Sequence, residues 1–436
     1  MAQSRGALLG YSMLACPLAM AALPIYVHLP KFYASNLGVP IAWVGLILFA
    51  ARLLDAIQDP VLGYISDRTA GGRWGRRPLI VLGVPLLAIG MVGLFQPPVA
   101  GQVALSWWLA ATLVVVYIGF SAASITYLAM GAELTSDYHG RTRVTAFRGA
   151  LGIVGVLLAA TLPELLSERS DGQGVVRFSL IFIPVLLLCS LLTLKFTPLR
   201  PRTKNRTAGS WRAMFAPFRH LEYRWLLAVS VPSGIAGAIP ATLILFFVED
   251  VLQVPGYSGM FLAAYFLSGA LSMPAWVALS RRMGKKNSWL IGMIMAVVAF
   301  VWAYALGPGD VVSFTVVCVL SGLAYGAELA LPASILADLV DQESGRSEPK
   351  AHGAYFGLWQ MIEKFNLAAA AGIALPLLAF LGYQPGTIDR DPVALSATYA
   401  LLPCAIKLLG AAMLWAAPFD RIQSPSTGLA TERRLS

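Results

Sequence analysis

The stretch RLLDAIQDPVLG, residues 52–63, sets Arg52, Asp55 and Asp59 among residues that, Gln58 apart, all suit a lipid bilayer. Each full charge costs roughly 2.5–3.5 kcal/mol at the centre of a spanning helix on insertion scales. Three together need compensation. The spacing i, i+3, i+7 projects them from one helix face, and Gln58 widens that polar face. Pro60 follows directly, frees a backbone carbonyl one turn earlier and allows a bend. A structural ion pair between Arg52 and one carboxylate accounts for one aspartate and leaves the other without a partner. Two carboxylates a helical turn apart suit a cation, either as oxygen ligands for a hard ion such as sodium or as a carboxyl pair sharing a proton.

The elements that carry these charges follow from composition. The 436-residue chain is 58% hydrophobic and 12% charged, whereas soluble proteins carry about 25% charged residues. Twelve continuous apolar runs recur, near 8–29, 40–63, 78–96, 105–130, 144–162, 177–194, 225–248, 258–279, 288–306, 312–336, 354–380 and 395–417. At roughly 20 residues per span they leave short loops and no soluble domain. Being continuous rather than alternating, they predict helices and not barrel strands. The expected fold class is therefore an all-α integral membrane protein of twelve helices, multi-pass in the cell inner (cytoplasmic) membrane and in contact with its lipids.

The net charge of +10 is topological. With the N-terminus inside, 24 of the 32 Lys and Arg fall on the inner side and four on the outer. That bias predicts both termini in the cytoplasm and gives no reason to expect a nucleic-acid partner. Cys16, Cys189, Cys318 and Cys404 fall in separate runs and read as packing residues. The four histidines have no metal-ligand spacing, no G-x-x-x-x-G-K-[ST] loop is present, and no nucleophile–base pair stands in a loop. Neither an enzyme, a metal site, a cofactor nor ATP-driven transport is expected. No small-residue cleavage site follows the first run, which predicts a retained helix.

The longest inner loop, about 195–224, separates six runs from six. The predicted organisation is an N-terminal half at 1–195, a basic central loop at 196–224, a C-terminal half at 225–418 and a tail at 419–436. GYISDRTAGGRWGRRP after the second run is echoed by ALSRRMGKKNS after the eighth, and TSDYHGRTR after the fourth by LVDQESGRS after the tenth. Repeated six-helix halves belong to many secondary transporters, with the binding site between halves near mid-membrane. The first of these loops resembles that of the major facilitator superfamily. The alternatives for it are a solvated basic turn or an inner gate, with Asp67 clasped by arginine and Arg68, Arg76 and Arg77 bridging helix ends. The repeated helix ends add Asp137, Arg141 and Asp341 to that gate.

More narrowly, the chain resembles the glycoside–pentoside–hexuronide:cation symporters, among them the melibiose permeases, along nearly its whole length. The residues that carry the resemblance are FYASNLG, the Arg-x-x-Asp-Ala-x-x-Asp-Pro segment, RWGRRP, YLAMGAELTSDYHGRTR and ADLVD. It implies that Asp55 and Asp59 hold the coupling cation, with Gln58 between them, a helix 4 hydroxyl at Ser121, and Ser124 where relatives place a third carboxylate. Arg52 and Lys364 would adjust their affinity. A sugar-contacting aspartate of those relatives is replaced here by Ala19. A proton needs only one titrating carboxyl, which favours proton coupling and leaves sodium open. The resemblance also places Arg148 in the solute cavity and Lys364 near the cation.

Glu363 and Lys364 lie deep in the eleventh run, about 100° apart around a helix, and cannot simply neutralise each other. Glu363, with Tyr117, Tyr127 and Trp359 as stacking candidates, completes the expected solute set of Arg148 and Lys364. Glu328 and Lys407 are the other deep charges, and the structural alternative joins Lys407 to Glu328 or Glu363. The resulting expectation is a monomeric secondary active transporter, carrying a polar solute such as a glycoside, sugar or organic anion in symport with H+ or Na+ by alternating access. An amphipathic or lipid-like substrate is the alternative within transport. A non-transporting membrane sensor or assembly factor is the alternative outside it.

Overall fold

The computed structural model describes residues 5–69, 72, 74–134, 138–167, 172–197, 217–344, 352–385 and 392–419. Among them are twelve helices long and apolar enough to cross a membrane. We number them α1 (Leu8–Asn36), α2 (Ile41–Ser66), α3 (Arg77–Phe95), α4 (Gln102–Gly131), α5 (Arg143–Leu165) and α6 (Gln173–Phe196) in the first half. The second half holds α7 (Leu221–Val251), α8 (Pro255–Met283), α9 (Lys285–Ala305), α10 (Val311–Val340), α11 (Tyr355–Phe380) and α12 (Pro392–Ala416). In hydrocarbon every backbone N–H and C=O needs a partner within its own segment, which makes a continuous apolar run a helix.

Neighbouring helices approach closely where a side chain is missing. A Cβ on Gly119 of α4 would stand 2.4 Å from the Leu87 nitrogen of α3. One on Gly322 of α10 would meet the Tyr265 carbonyl of α8 at 2.4 Å. Small residues of this kind replace the hydrophobic drive that membrane helices lack.

The halves meet mainly through two helix pairs, α2 with α11 and α5 with α8. Exchanging the halves turns one pair into the other. The resemblance extends to the ends of α1 and α7. Phe32–Asn36 and Phe247–Val251 each close as a π turn, with Leu37 N donating to Phe32 O at 3.1 Å and Leu252 N to Phe247 O at 3.0 Å. Both sequences read F-x-x-x-x-L-x-V-P, at Phe32–Pro40 and Phe247–Pro255. This repeat was not anticipated from sequence, and it carries α1 and α7 beyond the apolar runs that predicted them.

On the face away from the basic loops, side chains join the halves directly. Lys31 of α1 pairs with Glu249 of α7, and Glu164 of α5 accepts the Gly259 amide at the start of α8. On the basic face the described bonds stay within one half. Arg76 donates to Ser66 Oγ at 2.7 Å and Arg77 to the Thr197 carbonyl at 2.8 Å, at the ends of α2 and α6. Lys285 pairs with Asp338 at 2.5 Å. Arg68 stands exposed. Asp137 lies outside the described residues, as do the side chains of Asp67, Arg141 and Asp341. The molecule is closed at the face opposite its basic loops.

The position two residues after each π turn is occupied differently. Gly38 takes φ 71° after the first, whereas Gln253 takes φ 57° after the second and is the one non-glycine residue with positive φ among those described. A side chain there costs on the order of 1 kcal/mol, partly offset by the greater unfolded-state freedom of glycine. Gln253→Gly is expected to stabilise the protein by about 0.5 kcal/mol, read as a raised thermal unfolding midpoint in detergent.

Candidate functional site

Asp55 is fully buried, and four side chains donate to it. Its Oδ1 accepts hydrogen bonds from Gln58 Nε2 at 3.1 Å and Ser121 Oγ at 2.9 Å. Its Oδ2 faces Lys364 Nζ at 2.8 Å and Arg52 at 3.3 Å. The same lysine reaches Asp59 Oδ2 at 2.5 Å and donates to Ser121 Oγ at 3.3 Å. One ammonium from α11 therefore sits between both carboxylates of α2. Asp59 is less well served, because its Oδ1 is buried with no hydrogen-bond partner. The Arg52 guanidinium lies 4.8 Å from the centre of the buried Tyr117 ring, a distance suited to cation–π attraction.

The i, i+3, i+7 spacing does converge these groups on one face, and α4 brings Ser121 to it. Ser124, one turn further along α4, forms no hydrogen bond with a described residue and stands outside the cluster. Of the two places the sequence suggested for Lys364, the structure sets it among the aspartates, and Tyr117 packs over Arg52. The cause is rotation. Lys364 and Glu363 point about 100° apart, so when Lys364 faces α2, Glu363 turns to the interior of the second half.

There it borders a cavity of about 320 Å³ lined by α7, α8, α9, α10, α11 and α12, with Tyr26 of α1 contributed by the first half. Of the six expected solute residues, Glu363 alone lines it. Arg148 lies instead beside Tyr11, whose ring stacks on Tyr127 with centroids 4.5 Å apart. Tyr127 and Trp359 are buried packing residues, and Trp359 donates to Glu363 one turn away. Aromatic residues at helical spacing in an apolar run carry no signal that separates a cavity wall from a packed core.

A second charged cluster, composed of second-half residues, sits at the cavity edge. Glu328 accepts from Ser233 Oγ at 2.8 and 2.9 Å and from Trp289 Nε1 at 3.1 Å, and pairs with Lys407 at 3.1 Å. Lys407 also donates to the Ser233 carbonyl at 3.1 Å. The structural alternative is the geometry found for Glu328 and Lys407, whereas Glu363 forms no ion pair with a described residue.

Removing one partner of a buried pair leaves the other uncompensated, at about 3–5 kcal/mol. Lys364→Ala is therefore expected to lower the thermal midpoint sharply. Adding Asp55→Asn should recover part of the loss, a positive coupling that a double-mutant cycle in detergent measures.

Comparison with known proteins follows the same architecture. A family model described as MFS/sugar transport protein matches residues 8–421. The mouse sphingosine-1-phosphate transporter MFSD2B is 25% identical, over 94% of this chain and 88% of its own. The inner membrane symporter YicJ of Escherichia coli is 21% identical, over 89% of this chain and 86% of its own. Among solved structures, the nucleoside transporter NupG matches with a TM-score of 0.69 at 14% identity, covering 94% of this chain and 98% of that one.

Proposed function

The chain belongs to the MFS/sugar transport protein family, and from that premise we propose that it is a cation-coupled symporter in which Asp55 and Asp59 take up the coupling ion. As a member, it is a multi-pass inner-membrane transporter of a small solute and not an enzyme or a non-transporting scaffold. The observation that carries the coupling reading is the position of Lys364. Its ammonium, from the second half, compensates both carboxylates of the first.

Without Lys364, buried Asp55 would keep Arg52 alone and half-buried Asp59 would have no counter-charge among the described residues, at a cost of several kcal/mol. If the halves rock apart and Lys364 withdraws, a cation must replace it, so movement without an ion is penalised. An ion arriving while Lys364 stays would add a positive charge to a site already balanced by Arg52 and Lys364. Ion and lysine therefore compete, and that competition links occupancy to the relative position of the halves. A proton fits the donor set better than sodium does. Asp59 Oδ1 lacks a hydrogen-bond partner, two carboxylates are available rather than three, and Ser124 stands aside.

The cavity speaks for the solute class. A sugar needs many convergent donors and acceptors, whereas apolar ligands need walls and a few polar anchors. Here Ser233, Glu328 and Lys407 are committed to one another, and Leu262, Phe266, Phe300 and Val317 make apolar wall. This supports an amphipathic solute ahead of a glycoside. The likeness to a sphingosine-1-phosphate transporter points the same way, while the family's description keeps sugars as the second reading.

The test is uptake into proteoliposomes under imposed proton or sodium gradients, with panels of lysolipids, alkylamines and glycosides. Uphill accumulation driven by the proton gradient is expected, and Asp59→Asn should reduce it at least tenfold while counterflow exchange persists. Transport indifferent to both gradients would sink the coupling reading.

A further inference from the structure

Three of the charged side chains bordering the second-half cavity are Glu328, Lys407 and Glu363. The first two cancel, through their ion pair and the Ser233 and Trp289 hydrogen bonds. Glu363 does not share in that neutrality. It makes no ion pair with a described residue, it is exposed to the cavity, and the one partner it has is the neutral Trp359 indole. The neighbouring Lys364 is already held between Asp55 and Asp59. These three groups therefore leave one carboxylate uncancelled at a wall that is mostly apolar, with Ser321, Asn366 and tyrosine hydroxyls among its neutral polar groups.

The surface facing that charge is aromatic. Tyr325 lies within electrostatic reach of Glu363, Glu328 and Tyr26. Its ring stacks on Tyr265, centroids 5.2 Å apart and planes 26° apart, and Phe266 packs edge-on against Tyr265 at 5.2 Å. Tyr26 brings a further ring from α1 of the other half. Aromatic faces are negative and attract cations, most strongly where water is excluded. A carboxylate together with several tyrosine faces is the chemistry that holds an alkylated ammonium group. An anion placed here would meet Glu363 directly, and a neutral solute would leave that charge without a counter-ion.

We propose that the solute carried in this cavity bears a cationic nitrogen, seated between Glu363 and the rings of Tyr26, Tyr265 and Tyr325, with its apolar part along Leu262, Phe300 and Val317. The inference rests on the reading of the cavity as the solute site and narrows that solute to an amphipathic amine or quaternary ammonium. Because Tyr26 belongs to the first half and Glu363 to the second, such a ligand touches both halves and is released as they part.

Equilibrium binding to the full chain in lipid nanodiscs tests this with three probes of similar shape. They are benzyltrimethylammonium, its uncharged isostere neopentylbenzene, and benzenesulfonate. Titration calorimetry is expected to show the ammonium binding at least tenfold tighter than either other probe. Glu363→Gln should remove that preference and Glu363→Asp should restore part of it, with both variants checked for monodispersity. Tyr325→Leu should weaken the ammonium severalfold and leave neopentylbenzene within twofold. Equal or tighter binding of the neutral or anionic probe to the unaltered protein, or no binding of the ammonium, overturns the proposal without any variant. Binding at equilibrium needs no gradient, so that failure is separate from gradient-insensitive uptake, which would overturn the coupling reading alone.

Discussion

The ammonium of Lys364 between Asp55 and Asp59 is the contact on which the arrangement of the two halves depends. α2 carries two carboxylates to the middle of the molecule, and Arg52, stacked against Tyr117, compensates only part of that charge. The balance is supplied from α11. A buried carboxylate pair and its counter-charge cannot be separated cheaply, so α2 and α11 are drawn together at mid-depth. The ion pair of Lys31 with Glu249 and the bond from Gly259 to Glu164 then close the same side. Among the described residues, the basic face has bonds only within each half. The face opposite the basic loops is held shut.

This division of contacts separates two tasks that share one helix. Lys364 faces α2, and Glu363, the residue before it, faces a cavity built almost wholly by the second half. The aspartate cluster and the cavity thus border adjacent residues of α11, with no chain of intermediate residues between them. Glu328 and Lys407 play a different part. Their pair with Ser233 and Trp289 ties α7, α9, α10 and α12 to one another.

Much of the cluster around Asp55 was legible in the residues themselves. Charges at i, i+3 and i+7 in an apolar run have one face to share, and the resemblance to cation symporters brought Gln58, Ser121 and Lys364 to the same place. Ser124 lies outside the cluster because a position one turn along α4 reaches a different neighbour. Arg148, Tyr127 and Trp359 lie away from the second-half cavity, because depth in a helix says nothing about its rotation, and rotation decides whether a side chain meets a cavity or a packed ring. The F-x-x-x-x-L-x-V-P repeat was present in the letters, yet its meaning lies in a π turn that apolar periodicity does not encode.

By itself the sequence determined the number of spans, the membrane setting and the helix face that carries the aspartates. Backbone hydrogen bonding in hydrocarbon and the 3.6-residue repeat are local constraints that each segment obeys alone. Tertiary structure alone decided which cation answers which carboxylate. Lys364 rather than Arg52 bridges Asp55 and Asp59, and Glu328 rather than Glu363 takes Lys407. Those choices join residues tens to hundreds of positions apart, and they depend on the rotation and approach of whole helices. For RLLDAIQDPVLG, the local part is a polar face, and the part that came from the fold is a lysine from the other half.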